Sequence, residues 1–408
     1  MTAQIHKRDH VLFLASVFCF WLATYIYVPI FSLYLEHIDF PYSTIGVILG
    51  SYGVTQVLLR FPLGVLSDWL HSLRKILYVG GFAVALVSGL MLVFFDSYAL
   101  VLTARLLAGV TAAMWVMATI MYAQYFTSEK SGRAMGSLQF LTVMPQFLSM
   151  AVAGILVEAF GWLFPFWIGA VVSAIGLILA LFIKVVPAPE ANAPKRSVAG
   201  YVKGTLQVKR LVPLTLVSLL THSLMFMSIF GLTPNYAATM GVGEGDLIWL
   251  MVAFFLPHAA ASLLVAFLTL PKHFELNVLF ASFIVSAGTF FLIPTATSLT
   301  SISVLHAVIG LALGLALPLL LSQVAALPVD DLKTSVMGFY QSIYALGIFL
   351  GPLLAGQVAE WFGLEHVFTL AGLTSIVALV IVTAGLLVPA RRRQTAKGGT
   401  SQGGGRAV

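Results

Sequence analysis

The chain has 408 residues, 60% of them apolar and only 9% charged, against roughly 25% charged in ordinary soluble domains. Too little polar surface is available to cover such a chain in water, so it reads as an all-α integral membrane protein. The net charge of +6 is placed as suits an anionic lipid leaflet and excludes a nucleic-acid reading, while the single cysteine, Cys19, lies in an apolar run, which excludes disulfides and thiolate metal sites.

Lys7 and Arg8 precede the first apolar run, as they would in a secretory signal. That run is about 22 residues long, enough to span a bilayer, and no A-x-A cleavage site follows it, so a retained first helix is predicted. Runs of about 20 apolar residues predict twelve transmembrane helices. They fall near 11–32, 43–66, 76–95, 98–122, 134–157, 163–184, 211–232, 246–269, 276–294, 299–324, 335–357 and 366–389. Short connections make successive helices antiparallel neighbours. The exception, 185–210, holds three prolines and scattered lysines and arginines. It reads as a linker, with room for a short amphipathic helix, between an N-terminal six-helix half (1–184) and a C-terminal half (211–390). The tail, 391–408, is basic and then Gly/Ser-rich, and is expected to be disordered.

Of 21 lysines and arginines, only Arg60 and Arg105 fall inside predicted spans, Lys184 being the last residue of its own. Under the twelve-span count all the others lie on one side. The opposite connections carry none, and hold Glu36, Asp39, Asp96, Glu158, Glu244, Asp246, Glu360 and Glu365 within them or at their edges. Positive charge stays on the cytoplasmic side, which predicts cytoplasmic termini.

An internal repeat supports the two halves. Residues 132–166 slide onto 334–368 without a gap at an offset of 202, with identities that include Gln139/Gln341, Gly154/Gly356, Glu158/Glu360, Phe160/Phe362 and Gly161/Gly363. At an offset of 201, Arg105 falls on His306 and Gly109 on Gly310. Spans 5 and 11 therefore correspond, as do spans 4 and 10, and two pseudo-symmetric bundles are predicted.

Arg105 lies in LTARLLAGVTAA, 102–113. A guanidinium at bilayer depth costs about 2.5–3.5 kcal/mol, so it must face protein or water. Gly109 and Ala113 follow on about the same helix side, which leaves room for a neighbouring helix or a ligand. Two readings stay open: an arginine that locks helices together through carbonyls or a carboxylate, and one that lines a cavity and couples transport. The turn after span 2, RFPLGVLSDWLHSLRKIL (60–77), puts Gly64 four residues before Asp68, with Arg74 and Lys75 in reach for a charged gating loop. Arg60 is long enough to snorkel to that surface.

Both stretches resemble the major facilitator superfamily. Its loop between spans 2 and 3 follows G-x-L-(A/S)-D-(R/K)-x-G-(R/K)-(R/K), which Gly64, Leu66, Ser67, Asp68, Arg74 and Lys75 fit. Trp69 stands where a basic residue is usual, the following glycine is missing, and the basic pair comes two places late. The span 4 pattern L-x-x-R-x-x-x-G-x-x-x-A matches 102–113. The resemblance implies twelve helices in two rocking halves, a proton-coupling role for Arg105, and a latch of Asp68, Arg74 and Lys75 closing near Thr334. The antiporter pattern G-P-x-x-G-G is poorly kept in span 5, at 149–154, and better kept in span 11, at Gly351–Gly356. The direction of transport is left open by that decay.

No carboxylate lies in the middle of a predicted span. The charge of a central cavity then falls to Arg105, Arg60 and the histidines His222, His258 and His306, which are natural proton carriers near neutral pH. Arg105, Asp68 and His306 form the candidate proton-coupling set. A positive lining favours anionic or zwitterionic solutes. Trp21, Tyr25, Trp115, Phe226 and Tyr344 supply aromatic surface for an amphiphile, and Gln139 and Gln341 act as inter-helix glue or substrate contacts. Each of these side chains also has an ordinary packing reading. P-loop, zinc-ligand and nucleophile-elbow patterns are missing, so no cofactor, no metal and no enzymatic activity are expected. The sequence points to a monomeric secondary transporter of the cell membrane whose partners are a small solute, protons and lipid. Proton-driven export of an amphipathic or anionic compound (a drug, a metabolite or a metal-chelating one) is the first reading. Import of an organic anion by a symporter or facilitator is the alternative, and a membrane scaffold or sensor is the rival from another class.

Overall fold

Inside lipid every backbone N–H and C=O must find a partner within its own segment or a closed sheet, and this chain meets that demand with helices. The computed structural model describes residues 5–69, 73–126, 131–186, 198–267, 272–327 and 332–388, with the side chains of 61, 64–69, 131–137, 139, 198–199, 201–202, 266–267, 272–273, 325 and 333–335 outside the description. Among the described residues, twelve helical segments are long and apolar enough to cross a membrane. In order, spans 1 to 6 are Lys7–His37, Tyr42–Arg60, Arg74–Phe94, Tyr98–Ala123, Phe140–Phe160 and Phe164–Leu181. Spans 7 to 12 are Leu211–Thr239, Leu247–Val265, Phe274–Thr295, Leu299–Val324, Val336–Phe362 and Glu365–Leu387. Between the two sets lies the short helix Val198–Leu206.

The predicted runs are recovered one for one, and the differences are breaks and ends. Span 1 is two helices, Lys7–Tyr25 and Val28–His37. Span 7 is likewise two helices, Leu211–Met227 and Thr233–Thr239, joined by a π turn at Ser228–Leu232. Pro29 and Pro234 stand in the first turn of the second pieces, where a missing N–H costs nothing and a fixed φ helps restart the helix. Both second pieces run past the predicted ends at 32 and 232, because their apolar side chains are buried against the rest of the bundle. Span 4 is interrupted once, at Met114.

The repeat in the sequence is a repeat in space. Spans 5 and 11 belong to helices Ser131–Phe160 and Lys333–Phe362, each of 30 residues and in register at the offset read from the sequence. Both end on a glycine in the left-handed region, Gly161 at φ +88 and Gly363 at φ +100. The Gly161 N–H donates to the Val157 carbonyl at 2.7 Å, and the Gly363 N–H to that of Ala359 at 3.0 Å. Only glycine adopts that cap at no steric cost, which explains why the Phe–Gly pair recurs in both copies.

The two halves meet along two seams. In one, Gly46 of span 2 lies against the Pro352 carbonyl and Gly356 of span 11, while Gly50 and Gly53 lie against the backbone of Phe349. Missing side chains let the two backbones touch. In the other, Gly154 of span 5 meets Glu244 and Leu247 at the start of span 8, and the Glu158 carboxylate fills the space over Gly245. Glu36 adds a polar tie, accepting from the Tyr42 hydroxyl at 2.5 Å and from Asn235 Nδ2 of span 7 at 2.6 Å. Tyr42, Glu36, Asn235, Glu158 and Glu244 all sit at the ends of their helices that lie away from the N-terminus and the linker helix. The halves are pinned on that far face.

Candidate functional site

Arg105 is 2% exposed. It lies seven residues into span 4, so about 10 Å of helix axis separates it from the far end. Its Nη1 donates to the Tyr27 hydroxyl at 3.2 Å. Three rings surround the guanidinium carbon, with centroids at 4.4 Å (Tyr52), 5.3 Å (Phe31) and 5.8 Å (Tyr27). Nε has no hydrogen-bond partner, and no ion pair to a carboxylate is formed among the described residues. Ring quadrupoles thus supply the negative field that a carboxylate would otherwise supply. Local sequence explains the cage. A Cβ on Gly109 would strike Tyr52 and Thr55, so the glycine lets span 2 close over the arginine. The break after Tyr25 turns Tyr27 toward it. All three rings belong to the first half.

The repeat partner, His306, makes the mirror-image contact. It is fully buried, with Nδ1 2.9 Å from the Ile302 carbonyl and Nε2 3.2 Å from the Thr233 hydroxyl. Tyr27 and Thr233 both sit where a broken span resumes. In each half, therefore, the polar residue of span 4 or 10 braces the second piece of span 1 or 7.

Arg60 does not snorkel. It is 8% exposed, and its Nη1 crosses to the other half to donate to the Tyr344 hydroxyl of span 11 at 3.0 Å. Tyr344 stacks flat on His222 of span 7, with centroids 4.1 Å apart and planes at 6°. The His222 Nδ1 contacts the Ser218 carbonyl at 2.8 Å, and the Ser218 hydroxyl donates to Tyr340, whose ring stands edge-on to Tyr344. Tyr25 and Tyr52 lie near both Arg60 and Arg105.

Four of the five aromatic residues singled out in the sequence, all but Tyr344, join one run. Trp21 packs on Trp115 (5.1 Å) and Tyr25 (5.7 Å), Tyr25 reaches Phe230 across the halves (6.0 Å), and Phe230 stacks on Phe226 (5.0 Å). His258, half-buried and stacked on Phe254, joins the run through Phe255, whose ring stands edge-on to Phe230 (5.5 Å) and His258 (6.4 Å), and its backbone lies against Gly314 of span 10. Gln341 is half-buried. The side chains of Gln139, Asp68 and Thr334 lie outside the described residues, as do the surroundings of Gly64. Arg74 is buried, and the Lys75 Nζ donates to the Leu181 carbonyl at 2.7 Å, capping the end of span 6. Among the described residues no three His, Cys, Asp or Glu side chains converge as a metal would require.

Sequence reading did not single out Tyr27, Tyr52, Tyr340, Ser218 or the Glu36–Asn235 tie as parts of a site. Tyrosines and serines inside apolar runs look like core, and only their placement around a charge separates them from it. Pro29 and Pro234, soon after paired aromatic stretches, were the available signal for the two breaks.

A family model described as Major Facilitator Superfamily matches residues 13–350 and 214–406. The inner membrane transport protein YajR of Escherichia coli is 25% identical over 84% of this chain and 75% of its own. The proton-coupled antiporter flippase LtaA of Staphylococcus saprophyticus is 24% identical over 78% of each chain, and a probable sugar efflux transporter of Pasteurella multocida is 24% identical over 91% of this chain and 90% of its own. Among solved structures, the nucleoside transporter NupG superposes with a TM-score of 0.73 at 17% identity, covering 93% of this chain and 99% of NupG.

Proposed function

Since the chain belongs to the major facilitator superfamily of membrane transporters, we propose that it is a proton-coupled antiporter exporting small amphipathic or anionic compounds by alternating access. The halves 1–184 and 211–390 move as units about a midplane site. The observation that carries this reading is a pair of buried guanidiniums, Arg60 and Arg105, that form no ion pair among the described residues. A positive interior of low dielectric attracts anions and repels cations. Relatives named as a proton-coupled antiporter flippase and as a sugar efflux transporter support export coupled to protons.

The positive-inside rule puts the termini and linker in the cytoplasm, and on that orientation the two seams lie at the outer face. Arg105 holds the resumed piece of span 1 through Tyr27. It transmits a change of charge at the midplane, by protonation or by substrate, to the outer gate, and His306 does the same for span 7 through Thr233. Asp68, with Arg74 and Lys75, closes the cytoplasmic side against the start of span 11 near Thr334 when the outer face opens. The protein acts as a monomer in the cell membrane.

Everted vesicles carrying a pre-formed pH gradient test the reading. A growth screen of deletion and overexpressing strains against cationic, neutral and anionic compounds supplies the solutes. A solute that collapses the gradient in wild-type vesicles and not in Arg105→Ala vesicles is the expected result. Solute flux without proton movement would replace antiport by facilitated transport, and flux in the same direction as protons would make the protein an importer of organic anions.

A further inference from the structure

Arg105 and Arg60 are both buried cations, yet their surroundings differ in the one respect that matters for a ligand. Every partner of Arg105 comes from the first half, and rings cover it on several sides. Arg60 belongs to the first half and is bonded to the second. Only one of its nitrogens, Nη1, is engaged, while Nε is enclosed without a partner and Nη2 forms no hydrogen bond among the described residues. Nε and Nη2 are the two donors on one edge of a guanidinium, and that edge matches the two oxygens of a carboxylate in parallel hydrogen bonds. Tyr344, by taking Nη1, fixes the plane in which the edge lies. The wall beside it is aromatic. His222 stacks on Tyr344, Phe226 follows one helical turn later on the same face of span 7, and Phe230 carries the run to Tyr25.

Resting on the transport reading above, the geometry points to the free Nε–Nη2 edge of Arg60 as the anchor for the acid group of the transported compound. The substrate class is then an organic acid with a flat or apolar body lying along His222 and Phe226. Arg105 acts on helix position and does not touch the substrate. A ligand held at Arg60 and Tyr344 contacts both halves at once, which is what a solute must do to bias their rocking.

The test uses full-length protein in lipid nanodiscs and two probes of one shape, 2-naphthoate and its neutral isostere 2-naphthamide. Wild-type protein is expected to bind the acid at least about tenfold more tightly, the scale of one charge-assisted hydrogen bond. Arg60→Lys keeps the charge and loses the forked edge, and is expected to cut that preference several-fold, leaving only the part that charge alone supplies. Tyr344→Phe removes only the hydroxyl that orients Arg60, and should weaken naphthoate several-fold with naphthamide unchanged. Arg105→Lys, although slow in transport, should keep the preference within about twofold. Retention of the full preference in Arg60→Lys overturns the inference. Should Arg60→Lys fail to fold, unchanged naphthoate binding by Tyr344→Phe overturns it instead. Loss of the preference in Arg105→Lys equal to that in Arg60→Lys moves the acid to Arg105 and leaves proton-coupled export standing. Equal binding of both probes by wild-type protein removes the anion preference along with this anchor, while proton-coupled flux of other solutes in vesicles still reports on antiport alone.

Discussion

A buried arginine without an ion pair is costly unless something replaces the lost hydration, and at Arg105 the replacement is three aromatic faces and one hydroxyl. Such a cage needs a flat, delocalised cation. Arg105→Lys keeps the charge but gives a compact ammonium that cannot stack, so inserted, folded protein with transport reduced at least about tenfold is expected in proteoliposome flux. Full activity in that variant would remove the cage from the mechanism. Tyr52→Leu deletes the nearest ring. A desolvated cation–π contact is worth about 2 kcal/mol, and the loss should appear as a lower midpoint of thermal unfolding in detergent. At Gly161, where nothing crowds a Cβ, the cost of Gly161→Ala is the left-handed backbone alone, about 1–2 kcal/mol. A melting temperature equal to wild type would show that the cap relaxes to an ordinary helix end.

Helices here are cut where they have work to do. The breaks in spans 1 and 7 free the pieces Val28–His37 and Thr233–Thr239, and Arg105 and His306 hold the first residues of those pieces. Span 2 shows the other device, a row of glycines that lets its backbone lie on span 11. Gly46→Leu puts a branched side chain into the Pro352 carbonyl and Gly356. The seam then opens at its far end, because neither backbone can yield. With Cys19 replaced by Ser and a reporter cysteine at the buried Ala237, labelling by an impermeant maleimide from the far side should rise sharply in Gly46→Leu. Labelling as slow as in the parent would show that the seam is not the seal.

At the scale of the whole molecule the two halves are held on one face by glycine seams and by one carboxylate shared between Tyr42 and Asn235. Hydrogen bonds to a charged group contribute about 1.5–3 kcal/mol each, enough to move a two-state equilibrium about tenfold or more. Glu36→Gln removes the charge and keeps the size. It is expected to shift the population toward the far-open state by about tenfold, read as spin-label distances between the far ends of spans 1 and 7. An unchanged distance distribution would assign the closure to the seams alone. The architecture was legible from the chain because bilayer thickness fixes helix length and hydrocarbon forbids charge: twelve apolar runs, lysines and arginines on one side, and a repeat offset that turned out to be the offset between two helices of equal length. The existence of a special arginine was legible for the same reason. What Arg105 touches was not, nor was the turn of Arg60 away from the surface toward Tyr344. The rings and hydroxyls that receive the two guanidiniums come from spans 1, 2 and 11, far apart in sequence and indistinguishable there from ordinary core. Burial alone dictates that a charge must be met by something, whereas which tyrosine meets it depends on how glycines and broken helices bring distant segments within a few ångströms.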